Sequence, residues 1–249
     1  MKRMRHHLFL AFACLLLVAT ARAEYLPRAE RIADEVYAIV GPLGQRSREN
    51  EGLNANYAFI VTPAGVILID SGASRLGAQK LEKAIQAITD KPVRWVINTD
   101  SQDHRWLGND YFSGRGAEII AMKRTAATQG QYARQQLEGL QRFLGERLAD
   151  TQAKTASRLI EGETAALDLA GEAIKLHYTD AHYPGDAMVY LPRQGIVMSG
   201  DLVYVDRLLG VLPGSSVRNE QKAFRNLANY ESLHRSNMNR AFVEFEKFE

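Results

Sequence analysis

Residues able to do chemistry gather at four points in the chain, each just past an apolar run. They are Asp70-Ser71-Gly72, Asp100-Ser101-Gln102-Asp103-His104-Arg105, His182-Tyr183-Pro184-Gly185-Asp186 and Ser199-Gly200-Asp201. Carboxylates and imidazoles carried on loops by a rigid sheet are the materials of a metal centre or an acid–base site. Each cluster also has a plainer reading. An aspartate two residues before a glycine is good turn chemistry, so Asp70 is expected to order its loop through hydrogen bonds to the backbone, and Asp186 to brace the turn of Pro184 and Gly185. Trp95 and Trp106 are expected to anchor the core, Trp106 being the one placed to line a pocket beside Arg105.

The elements that must hold these clusters are strands joined by turn residues. Glu35 to Val40 predicts a short strand, and Tyr57 to Val61 turns at Thr62-Pro63-Ala64-Gly65 into Val66 to Ile69 as a hairpin. Leu81, Ala84, Ile85 and Ile88 mark one face of a helix. Val93 to Ile97 reads as a buried strand that runs into a polar loop, Asn98 to Asn109, and Ile119 to Met122 as a further strand. Between Arg124 and Asp150, Ala133, Leu137, Leu140, Leu144 and Leu148 recur at helical spacing, which predicts either a helix packed on the sheet or a lid. Glu172 to Thr179 alternates, with His177 on the face opposite Ile174, Leu176 and Tyr178, and Ala187 to Leu191 with Gly195 to Ser199 makes a second hairpin. The order predicts two sheets with helices outside them, in one domain spanning residues 24–249.

At 249 residues, with 46% hydrophobic and 24% charged residues, the chain can bury a sizeable core, which excludes intrinsic disorder and a multispan membrane architecture. Residues 1–23 read as a secretory signal: Lys2, Arg3 and Arg5 precede an apolar run from Leu8 to Ala19, and Ala21-Arg22-Ala23 is a small-residue cleavage site. Its removal leaves 27 basic against 29 acidic residues, so the argument for a nucleic-acid partner disappears and no membrane span remains. Cys14, the only cysteine, leaves with it, which excludes disulfides and a cysteine nucleophile. The expected location is periplasmic or secreted and the expected partner a small-molecule substrate. No feature names a protein partner.

In this order the clusters resemble the metallo-β-lactamase superfamily. Asn56 to Gly72 looks like that family's opening hairpin, Val96-Ile97-Asn98-Thr99 like the strand before its H-x-H-x-D-H loop, His182 to Asp186 like its H-T-P-G-D segment, and Ser199-Gly200-Asp201 like the turn carrying its bridging aspartate. The Glu49 to Asn56 run is most similar to a periplasmic branch that accompanies quinoprotein systems. The resemblance implies an α+β fold, a four-layer αββα sandwich, with a one- or two-zinc centre at one edge and hydrolysis of an ester, lactone, thioester or amide by metal-bound water.

The same resemblance exposes a departure. With both flanks in register, Asp100 and Gln102 stand at the first two histidine positions, His104 at the aspartate and Arg105 at the last histidine; with one residue deleted, Asp103 and His104 become the aspartate–histidine pair and the catalytic candidates. The H-x-H is missing either way. Beyond the signal the chain has four histidines, His104, His177, His182 and His234, and His234 lacks the turn in which the family places its last ligand. What survives is His104, His182 and Asp201 with Asp100 and Gln102, a set for one ion, Zn or the harder Mn or Mg. The alternative is no metal at all: Arg105 enters the cleft and pairs with Asp201 or Asp100, leaving a non-catalytic binding or assembly protein. The closing strand of the family is also not evident, and Phe242, Phe245 and Phe248 are expected either to pack on the outer sheet or to form a partner surface.

Overall fold

A computed structural model describes residues 25–204, 208 and 210–234. The signal-like residues 1–23 and the phenylalanines near the C-terminus lie outside the described residues.

Seven strands form the first sheet in sequence order: β1 (Ala29–Ala33), β2 (Val36–Ile39), β3 (Tyr57–Thr62), β4 (Gly65–Ile69), β5 (Val93–Ile97), β6 (Glu118–Met122) and β7 (Arg158–Ile160). The first four run antiparallel and β4 to β7 parallel, so helices must cross between the later strands. They are α1 (Arg75–Gln86), the short α2 (Asp103–Trp106) and α3 (Asn109–Ser113), and the long α4 (Lys123–Leu144). The second sheet is an antiparallel meander of β8 (Thr164–Leu169), β9 (Glu172–Tyr178), β10 (Ala187–Leu191) and β11 (Ile196–Met198), and α5 (Val217–His234) follows it.

Alternation along the strands explains the layers. Ile60, Ile67, Ile69, Ile97 and Ile120 turn inward to meet Ile174, Leu176, Val189 and Leu191 of the second sheet. Phe59, Leu68, Val96 and Ile119 turn outward to meet Leu81, Ile85 and Phe112 of α1 and α3, and Met188 meets Ala223 and Leu227 of α5. The result is the four-layer αββα sandwich.

Ser74 starts α1. Its Oγ accepts from the Gly77 N–H at 2.9 Å and donates to the Glu51 carbonyl at 2.8 Å, fully buried. Ser74→Ala is expected to cost about 1–2 kcal/mol, read as a lower urea midpoint at unchanged slope. A loss within experimental error would remove the cap from the account.

One sequence expectation needs correction, and two left open are decided. The loop from Asn98 to Asn109 is not irregular throughout, because residues 103–106 close one helical turn, α2, too short for periodicity to register. The long helix α4 is not a lid: its Leu140 and Leu144 pack on Trp106 and Leu107 of the α2 turn, in a cluster of their own. Trp106 is fully buried there, its Nε1–H directed at the Ser101 carbonyl (3.0 Å) and Gln136 Oε1 (2.9 Å), so it is the core anchor expected of it and is not among the residues lining the cleft beside Arg105.

Candidate functional site

The loop after β5 is pinned from below before any of its side chains reaches the cleft. Asn98 and Asn109 exchange side-chain hydrogen bonds at 3.1 and 2.8 Å, and Ser71 Oγ donates to Asn109 Oδ1 at 2.8 Å. The Ser71 N–H and the Asn98 amide both donate to the Arg105 carbonyl. Gly108 packs so closely that a β-carbon there would sit 2.0 Å from the Ser71 carbonyl oxygen, which is why only glycine fits. Arg105 therefore enters the cleft from a backbone that cannot drift.

Its guanidinium is held by three groups from three parts of the chain. Nη1 donates to the Asn56 carbonyl (2.8 Å) and to Asp70 Oδ2 (3.1 Å), and Nη2 donates to Asp201 Oδ1 (2.5 Å). Asp70 is held in turn by Thr99, whose N–H and hydroxyl donate to it at 2.7 and 2.6 Å, so it does the loop-ordering work expected of it and pairs with the guanidinium as well. Burial alone would lower the Arg105 pKa and raise that of Asp201. Their pairing reverses both, so that Arg105 is pushed well above its ordinary value and Asp201, flanked by Arg105 and His104, is held well below the usual carboxylate range. Burial raises Asp70, against the pull of Arg105 and Thr99.

His104 completes the other side of Asp201, its Nε2 lying 2.8 Å from Oδ2. Its Nδ1 lies 2.5 Å from Arg46 Nη2 and 3.1 Å from Asp103 Oδ1. Asp201, held ionised, can only accept, so the His104 Nε2–H donates to it. Arg46 also pairs with Asp103; although burial works the other way, Arg46 and His104 keep that carboxyl below its ordinary value.

His182 sits apart from this chain of charges. Its Nε2 is 3.2 Å from the Tyr204 hydroxyl, and its Nδ1 lies 3.8 Å from Glu220 Oε1 on α5. Burial lowers its pKa and favours the neutral imidazole.

These residues open on a cavity of about 550 Å³, lined by His104, Arg105, His182, Asp201 and Gln102, with Arg46, Asp70, Asn56, Tyr57 and Tyr204. Two sequence candidates lie elsewhere. Asp103 is behind the wall, tied to Arg46. Asp100 is fully buried beneath the loop, its Oδ1 accepting from the Ser101 and Gln102 N–H groups; its nearest charged neighbour is Asp186, and it does not line the cavity. The Asp186 Oδ2 accepts from the Tyr183 N–H at 2.8 Å, as a turn-bracing residue does. His177 lies on β9 with its Nε2 3.1 Å from the Asn226 amide, on a separate small cleft beside α5, and His234 is the last residue of that helix. Arg46, Tyr57, Tyr204 and Glu220 were missed by the sequence reading. No local motif marks them: Tyr57 opens β3 inside an ordinary apolar run, Arg46 and Tyr204 come from loops, and Glu220 comes from α5.

The donors do not fit a metal ion. Among the described residues no group of three histidine, cysteine, aspartate or glutamate side chains is arranged to hold one. Both Asp201 oxygens are committed, one to a guanidinium, and the second nitrogen of His104 lies against Arg46 and Asp103. A dication ~4 Å from a guanidinium would meet about 8 kcal/mol of repulsion at an effective dielectric near 20. Gln102 lines the cavity, and Asp100 does not.

Comparison with known proteins agrees with the architecture. The family model described as the metallo-beta-lactamase superfamily matches residues 50–232. Among solved structures, a metallo-beta-lactamase from Pontibacter korlensis is 17% identical over 82% of this chain and 86% of its own, with a TM-score of 0.66. The metallo-beta-lactamase IND-7 is 19% identical over 82% and 85%, with a TM-score of 0.61, and DIM-1 is 15% identical over 83% and 86%, with a TM-score of 0.62. At such identities the likeness is one of fold. None of the curated proteins compared with the chain matches it.

Proposed function

The chain belongs to the metallo-beta-lactamase superfamily, and from that premise we propose that it is a small-molecule-binding member whose cleft is built around Arg105 in place of a metal ion. Superfamily membership suggests a metal-dependent hydrolase. The residues of this cleft argue for a different use of the same scaffold. The observation that carries the reading is the clamp in which one guanidinium joins Asp70, Asp201 and the Asn56 carbonyl. It ties the β4 end, the β5 loop and the turn after β11 together without an ion, and it leaves the cavity intact beside it. The leader-like residues 1–23 support a periplasmic or secreted location for this activity, and among the described residues no helix is long and apolar enough to cross a membrane.

Elemental analysis of the full chain purified without chelator tests the proposal. The expected result is Zn, Mn and other transition metals well below one ion per chain, with no rise in melting temperature on adding Zn²⁺ or Mn²⁺. One ion retained per chain, or ester or lactam cleavage abolished by EDTA, would overturn it.

A further inference from the structure

The charges at the cavity floor are already closed on one another, and that selects the ligand. Arg105 is neutralised by Asp70 and Asp201 and Arg46 by Asp103, while His104 donates to Asp201. His182 is neutral through burial. Two guanidiniums and two carboxylates line the space, each already in an ion pair; only the Nε–H groups of Arg46 and Arg105 lack a hydrogen-bond partner among the described residues, and both are buried out of reach of the cavity. An ionic ligand entering it would lose its water without gaining an unpaired partner, a penalty of several kcal/mol per ion.

The uncharged lining has the opposite character. Gln102 lines the cavity and its side-chain amide makes no hydrogen bond among the described residues; Gln45, on the loop after β2, lines it with an amide that likewise makes none among them, and Tyr204, its hydroxyl 3.2 Å from His182 Nε2, lines the same space. Around these amides the wall is aliphatic, with Ile32, Val40, Val197, Val203 and Leu212. At the mouth, Leu43 is 66% exposed and Val211, between the lining residues Gly210 and Leu212, is 68% exposed. These exposed aliphatic side chains continue the apolar wall outward. The volume lies within the range of drug-sized ligand pockets.

We propose that this cavity takes an uncharged amphiphile, with a hydroxyl, ester or amide head at Gln102 and Tyr204 and an aliphatic chain running out past Leu43. The inference deepens the binding reading above and rests on it. The ligand meets no unpaired ion, and its head exchanges water for neutral amide and hydroxyl partners.

Isothermal titration of the full chain with octanamide, octanoate and octylammonium, equal in chain and different in head charge, tests it at neutral pH. Octanamide is expected to bind at least about tenfold tighter than either ion, a difference of about 1.4 kcal/mol. Leu43→Asp is expected to weaken octanamide, and Gln102→Glu to shift the preference towards octylammonium; both sites are surface-accessible, and circular dichroism verifies that the variants are folded. Octanoate or octylammonium binding as tightly as octanamide, or no saturable binding of octanamide, would overturn the inference. Elemental analysis of the same preparation separates the two claims. Metal-free protein that prefers an ionic head sinks only the ligand class, whereas a stoichiometric ion sinks the binding reading beneath it.

Discussion

Arg105→Ala is expected to lower the stability of the folded chain by about 3–5 kcal/mol, the range seen when one partner of a buried ion pair is removed. The size follows from what is left behind. Asp70 and Asp201 are 1% and 8% exposed, and the guanidinium is the cation that both share. Without it two carboxylates face each other out of water, so one of them must take up a proton or the loops must part. The double variant Arg105→Ala with Asp201→Asn is expected to recover part of the loss, because one of the stranded charges is gone. Arg105→Lys is expected to fall between, since a single ammonium cannot reach two carboxylates and the Asn56 carbonyl with the planar fork that arginine offers. Urea denaturation at neutral pH reads all four proteins. A loss under about 1 kcal/mol for Arg105→Ala, the level of an exposed pair, would mean that the clamp does not hold the cleft.

That prediction concerns a contact the sequence could pose but not resolve. Asp201 and Asp100 were the partners open to Arg105 in the sequence; the structure supplies Asp201 and Asp70, while Asp100 turns to Asp186. The difference is one of three-dimensional reach, because Arg105 lies 96 residues from Asp201 and 35 from Asp70. Local elements were legible where their signal was strong. The β3–β4 hairpin follows from apolar strands around Thr62-Pro63-Ala64-Gly65, and β5 from an apolar run flanked by turn residues. Others gave too little signal. Strand β7 has three residues, β8 alternates with small alanines and little exposed contrast, and β1 is a half-exposed edge. Motif positions drew attention to His104, His182 and Asp201, which do line one cavity. Arg46 carries no motif at all, yet it lies against His104 Nδ1 and pairs with Asp103 at the edge of the cleft.

The buried Asp100–Asp186 pair should make stability fall as pH rises from about 5 to 8. Burial is the main cause in both residues: it pushes Asp186 up to about 7 and Asp100 well above its ordinary value, with Asp186 and then Asp201 raising Asp100 further. The free oxygens, Asp100 Oδ2 and Asp186 Oδ1, have no other hydrogen-bond partner among the described residues. A proton held between them is retained by the folded chain and released by the unfolded chain above its ordinary carboxylate pKa of about 3.9. Between those two pKa values the folded state binds more protons, so each rise in pH removes stability until the folded pKa is passed. His182 and His177 work in the opposite sense. Burial lowers both pKa values, so their contribution grows as pH climbs towards about 6.5. Asp201, held well below its ordinary value, acts only at lower pH. The effect is therefore read as a difference between the parent and Asp100→Asn, whose amide can donate to Asp186 without a titrating proton. At pH 8 the variant is expected to be more stable than the parent by about 1–3 kcal/mol, the cost of an unsatisfied buried polar group, and at pH 5 to be no more stable. Parallel urea-midpoint curves for the two proteins across that range would show that the pair does not share a proton, and the link between the β5 loop and the His182–Asp186 turn would then rest on the Ser101 hydroxyl that donates to the Pro184 carbonyl, next to the Thr125 hydroxyl of α4 that donates to the Gly185 carbonyl.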